Sequence, residues 1–158
     1  MQDNSYSFEQ VLSETGKLVY TNVGVSMRPL LREGRDILVV EKRDISDIKK
    51  LDVVLFRRKG VKGRGEYILH RIVKTLPDGK YFIAGDNCFS GEIVEKEQIL
   101  GVLTAVKRGN RDIDFGKPAY KFYLYFWCKP YRIRFFILKA KRNIKYLFSA
   151  VFSKLTGK

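Results

Sequence analysis

Three short stretches of the chain hold a serine, the only histidine and an aspartate, the residue types from which nucleophilic catalysis with a general base is built. The first is Gly24-Val25-Ser26-Met27-Arg28-Pro29-Leu30, where a serine at the end of a strand is followed by Met and Pro that fix the chain's exit. Such a turn is suited to presenting a hydroxyl, and a turn serine with no further role reads the same way. The second is Tyr67-Ile68-Leu69-His70-Arg71-Ile72-Val73. With the strand period of two, Ile68, His70 and Ile72 share one face, so the imidazole belongs on an apolar surface, where a satisfied core histidine is the competing reading. The third, Gly85-Asp86-Asn87, follows a strand and by itself reads as an Asx turn.

The elements that must position these residues are mostly strands. Ser7 and Gln10 have capping-box spacing, Phe8, Val11 and Leu12 share a face, and Gly16 can close the end, which predicts a short helix over Ser7 to Thr15. From Lys17 to Phe115 the sequence predicts strands at Val19–Val25, Asp36–Glu41, Val53–Arg57, Glu66–Lys74, Lys80–Ala84 and Ile99–Val106, all rich in β-branched and aromatic residues. Pro77-Asp78-Gly79 and Gly109-Asn110 mark turns between them. The basic, glycine-rich Lys59–Gly65 lacks the spacing of a nucleotide-binding P-loop and reads as a flexible hairpin loop.

At 158 residues the chain has the length of one compact domain with an appendage, and 45% hydrophobic with 30% charged residues excludes a wholly disordered or collagenous chain. The net charge of +14 is uneven: residues 117–158 hold 11 Lys/Arg and no acid, and 12 of the 21 aromatics. The expected division is therefore a β domain over residues 1–116 and a basic aromatic amphipathic tail over 117–158. At about 100° per residue, Ile133, Phe136, Ile137, Ala140, Ile144, Leu147, Phe148, Val151 and Leu155 form an apolar helical stripe, with Arg132, Arg134, Lys139, Lys141, Arg142 and Lys145 off it. Phe135, Leu138 and Tyr146 fall outside the stripe. Such a helix can lie on a membrane surface, dock on the β body or a partner, or bind nucleic acid, the last being disfavoured. No basic and apolar leader opens the sequence, and no apolar run approaches the ~20 residues of a membrane span. A cytoplasmic location follows, peripheral on the inner face of the membrane through the tail. In that reducing compartment Cys88 and Cys128 are expected to stay unbridged.

Taken in order, the motifs resemble type I signal peptidases, a superfamily that also holds the self-cleaving SOS-repressor-type serine peptidases. They are Gly24-x-Ser26-Met27-x-Pro29, Gly34-Arg35-Asp36, Asp52-Val53-Val54-Leu55-Phe56, His70-Arg71, Gly85-Asp86-Asn87 and Ile99-Leu100-Gly101, and they span about residues 21 to 106. Bacterial members usually carry a lysine at the position of His70, and a His-Arg pair with a downstream Gly-Asp-Asn is similar to the archaeal and endoplasmic-reticulum branch. The resemblance implies a mainly β fold of coiled antiparallel sheets, with the serine at the edge of a groove for a peptide or preprotein substrate. It implies Ser26 as nucleophile, His70 as general base and Asp86 as the acid that holds the imidazole's tautomer. Glu92, six positions on, stands where the family has a second acidic residue, and its extra methylene displaces the carboxylate. The oxyanion is assigned to the Ser26 N–H, because Gly24 offers no hydroxyl.

No cofactor and no metal is expected, since one histidine and two separated cysteines match no common zinc spacing. Cys88, two residues past Asp86, is a rival nucleophile if its pKa is lowered. Two other functions stay open: a self-processing or regulatory peptidase of the same superfamily, and a non-catalytic lipid- or nucleic-acid-binding module.

Overall fold

The computed structural model describes residues 6–58, 60 and 65–156, with side chains up to residue 149. The expected loop at Lys59–Gly65 lies outside the described residues except for Gly60 and Gly65. Helix α1 spans Phe8–Thr15. Its N-terminus is closed by the predicted box: the Gln10 N–H donates to Ser7 Oγ and the Ser7 N–H donates to Gln10 Oε1. Gly16, at φ 71°, caps the other end through its N–H to the Leu12 carbonyl.

Eight described strands follow: β1 (Lys17–Thr21), β2 (Asp36–Glu41), β3 (Val53–Arg58), β4 (Glu66–Thr75), β5 (Lys80–Ala84), β6 (Glu92–Glu95), β7 (Ile99–Arg108) and β8 (Arg111–Asp112). All their pairings are antiparallel, in the order β1-β2-β7-β3-β4-β5-β6, with β8 pairing β7. The predicted first strand stops four residues early, at Thr21. The chain there leaves the ladder after one more bond, from the Asn22 N–H to the Asp36 carbonyl, and Gly24 turns it at φ 88°. The short β6 and β8 have no apolar run long enough to announce them. Register shifts at Val39/Val40, Leu55/Phe56 and Ile72/Lys74 insert bulges, which raise the local twist of the sheet.

The sheet carries two apolar clusters, while Val19 of β1, Ile37 of β2 and Ile93 of β6 stay exposed. Leu18, Leu38, Val40, Leu55, Leu69 and Leu103 pack with Leu12 of α1 and with Met27, Leu30 and Leu31 of the serine loop. Val54, Phe56, Ile72, Ile83, Val94 and Val102 form a second cluster. Asp36 is buried, and Arg108 donates to it at 2.7 and 2.6 Å while the Arg32 N–H donates at 2.8 Å. Burial alone would raise its pKa, but these donors hold it below the usual range. The Gly-Arg-Asp motif is thus a structural clamp that ties the loop after Ser26 to the start of β2.

The C-terminal segment runs through α2 (Pro118–Tyr123), a π-helical turn over Leu124–Cys128 and the long α3 (Tyr131–Thr156). It is not detached from the β body. Cys128 and Arg134 are buried, and Tyr131 and Phe135 pack on Phe82 of β5 with ring centroids 5.8 and 6.4 Å away. Phe135 and Leu138, which fall outside the apolar stripe, lie on the half-buried side of α3 instead. Among the described residues no helix is long and apolar enough to cross a membrane.

Candidate active site

Ser26 sits in a turn fastened on both sides. Ahead of it, the Gly24 N–H donates to Glu33 Oε1 at 2.8 Å, and the Gly34 N–H donates to the Asn22 carbonyl at 3.0 Å. Behind it, Met27 and Leu31 are sunk in the core and joined by the Leu31 N–H to Met27 carbonyl bond. Full burial of each such side chain stabilises by about 1.5–3 kcal/mol, so the loop has little freedom to drift. The Arg28–Pro29 peptide bond in this loop is cis. Neither the Ser26 nor the Met27 N–H donates a hydrogen bond among the described residues.

The Gly85–Cys88 turn braces the same loop from across the site. The Asn87 N–H donates to the Ser26 carbonyl at 2.7 Å, and Asn87 Nδ2 donates to the Val25 carbonyl at 3.2 Å. Gly85 is required here by space. A Cβ on it would stand 2.6 Å from the Ser26 carbonyl oxygen, 2.7 Å from Cys88 Sγ and 3.0 Å from His70 Nε2. The serine loop and the imidazole, 44 positions apart in sequence, therefore converge on the α-carbon of Gly85. No hydrogen bond joins Ser26 Oγ to His70 in this structure. Catalytic contacts of this kind are commonly loose before substrate binds.

His70 lies on β4 opposite Val54 of β3, with its ring 6.3 Å from that of Phe56. It is buried, as its place between Ile68 and Ile72 predicts. Burial pushes its pKa down to about 4; the nearby Glu92 carboxylate opposes this, and the Arg58 guanidinium adds to it. The ring is consequently neutral at pH 7, with a lone pair free to accept a proton. His70 and Ser26 both line a groove of about 680 Å³, walled by Phe8, Tyr20, Tyr67 and Arg58.

Asp86 does not take the orienting position expected of it. Its carboxylate is wholly buried and accepts from Arg71 Nε at 2.9 Å and Nη2 at 2.6 Å, from Tyr123 Oη at 2.7 Å and from Arg134 Nη1 at 3.3 Å. None of these bonds goes to His70. The reason is strand alternation: Arg71 follows His70 on β4 and points the other way, and a buried carboxylate goes to the guanidinium that can neutralise it. Arg71 is held charged, since the attraction of Asp86 outweighs the burial that would lower its pKa. Its Nη1 also donates to the Leu51 carbonyl and to Tyr120 Oη. Trp127 Nε1 donates to the Asp86 carbonyl at 3.0 Å, so the C-terminal segment closes the network from outside.

Glu92 is also engaged elsewhere. It makes a bidentate pair with Arg58, whose Nε donates to Oε2 at 2.8 Å and whose Nη2 contacts Oε1. Through space its charge still favours a protonated His70. Cys88 faces Gly85 too, but burial raises its pKa and disfavours the thiolate that a nucleophile needs. Cys128 Sγ lies 3.8 Å from Asp86 Oδ1, its pKa pushed up to about 11 by burial and by that carboxylate. Both cysteines are free thiols.

Arg71 and Arg134 escape a reading of the sequence as site residues, and Gly85 stands in its candidate motif without the close approach to Ser26 and His70 that the fold gives it. Arg71 was visible only as the neighbour of His70, and Arg134 as one cation among the many on the tail. Compared with protein-family models and with curated proteins, the chain matches none.

Proposed function

We propose that this protein is a serine endopeptidase of the signal-peptidase type, with a fold of coiled antiparallel sheets and a Ser26/His70 dyad. The observation that carries the reading is the convergence of the serine loop and His70 Nε2 on Gly85, beside a groove of about 680 Å³ that Ser26 and His70 both line. In the reaction, Ser26 Oγ attacks the scissile carbonyl as its proton passes to His70, and the oxyanion is met by the Ser26 N–H. The C–N bond then breaks, His70 returns the proton to the leaving amine, and water releases the acyl group by the reverse sequence. Asp86 braces the site in this scheme, and Glu92 acts on His70 only through its field.

A serine-reactive fluorophosphonate tests the dyad. Mass mapping should place the adduct on Ser26, and both Ser26→Ala and His70→Ala should lose it while remaining cooperatively folded at the pH and temperature of labelling. An adduct elsewhere, or one at Ser26 that survives His70→Ala, overturns the dyad and leaves a non-catalytic binding module as the better account.

A further inference from the structure

Helix α3 is attached to the body by one side only. Tyr131, Arg134, Phe135, Leu138 and Arg142 are buried or half-buried and at about 100° per residue lie along a single line; the small Ala140, on the other side, is half-buried as well. Two of them grip the Gly85–Phe89 segment: Arg134 at Asp86 and the Gly85 carbonyl, and Arg142 with its guanidinium 3.8 Å from the Phe89 ring centroid. The opposite line carries Ile133, Phe136, Ile137, Ile144, Leu147 and Phe148, all exposed, with Phe136 and Phe148 at 74% and 73%. The helix has turned its apolar stripe away from the protein. A patch of this kind is rare on a free-standing soluble chain and marks a docking surface.

The charges beside the stripe say what kind of surface fits. Arg132 and Lys139 run along one flank and Lys141 and Lys145 along the other, and residues 117–158 contain no acid. Phe122, Tyr125 and Phe126, just ahead of α3, are exposed as well. An apolar strip between two basic rows is complementary to an anionic lipid interface, where acyl chains take the strip and headgroups meet the cations. We infer that the outer face of α3 docks the protein on anionic bilayers. The grip of Arg134 and Arg142 on the loop that braces Ser26 then sets the groove at a fixed attitude to the lipid. The inference goes beyond the peptidase reading, and its test needs no turnover.

The full chain is sedimented with vesicles of phosphatidylcholine alone and with vesicles containing about one third phosphatidylglycerol. The wild type should bind the anionic vesicles and release as salt is raised. F136Q/L147Q, on exposed positions, should weaken that binding at least about tenfold with an unchanged melting temperature. K139Q/K141Q should weaken it about tenfold on anionic vesicles and under about twofold on neutral ones. Unchanged binding by F136Q/L147Q, or no binding by the wild type at low salt, overturns the inference. So does a wild-type dimer that F136Q/L147Q breaks, which gives the face to a second copy. Duplex binding that only K139Q/K141Q loses, without vesicle binding, gives it to nucleic acid.

Discussion

A base with a pKa near 4 is a weak one, and the burial that lowers it also keeps His70 in its proton-accepting form across the neutral range. Labelling at Ser26 should therefore stay level down to about pH 5 and fall off below, a profile that a rate-against-pH series reads directly. The same burial links folding to pH. An unfolded His70 titrates near 6.5 and the folded one near 4, so between these values the unfolded chain holds the extra proton. Stability is complete above pH 6.5 and declines as pH falls towards 4, by up to about 3 kcal/mol from this group. Urea melts at the two ends of that window should differ, and His70→Ala should reduce the difference. Gly85 is the other decisive residue. Gly85→Ala puts a methyl group 2.6 Å from the Ser26 carbonyl, so it should cost about 1–3 kcal/mol and shift the serine loop. Labelling should drop far more than unfolding of the small residual fraction explains.

At the level of elements, one carboxylate joins β4, the Gly85–Cys88 turn and α3. Arg71 and Arg134 both point at Asp86, which leaves one positive charge in excess in a buried place. Asp86→Asn removes the only balancing charge in that network and should destabilise by about 3–5 kcal/mol. Arg134→Met leaves the Arg71–Asp86 pair intact and should cost clearly less, as paired denaturant melts would show. Were Asp86 an orienter of His70 instead, Asp86→Asn would lower labelling with the stability kept. At the other end of the chain Ser7 is an ordinary cap, and Ser7→Ala should cost about 1 kcal/mol without touching the site.

On the scale of the molecule, the C-terminal segment is joined to the β sheet from α2 as far as Arg142, and α3 keeps an apolar face outward. Strand pairing between residues far apart in sequence brings His70 into the site, and the serine loop arrives from between β1 and β2. The Gly85–Phe89 segment touches everything that matters: the serine loop through Asn87, His70 through Gly85, and α3 through Asp86 and Phe89. Loss of α3 should therefore be felt at the serine as well as at any surface the helix meets. A chain ending at residue 130 should melt lower than the full chain, because Arg134 is taken from a buried carboxylate; a thermal scan measures it.

Much of the fold could be read directly from residue types. The capping box of α1, the strands β2 and β5 to the residue, the turn at Pro77–Gly79 and the burial of His70 all follow from local rules: side-chain hydrogen bonds to nearby backbone and the two-residue alternation of strands. Ser26, His70 and the Gly85-Asp86-Asn87 turn were legible as candidates for the same reason. What tertiary structure alone decided is who meets whom. Asp86 goes to Arg71 and Arg134, not to His70, because the two neighbours on β4 face opposite ways and a buried charge seeks its opposite. Helix α3 docks by the side that carries Arg134 and Phe135, and not by its most apolar stripe. Pairing two guanidinium groups with one carboxylate, seating Tyr131 and Phe135 on Phe82 of β5 and laying Arg142 over Phe89 depend on shapes that periodicity does not contain.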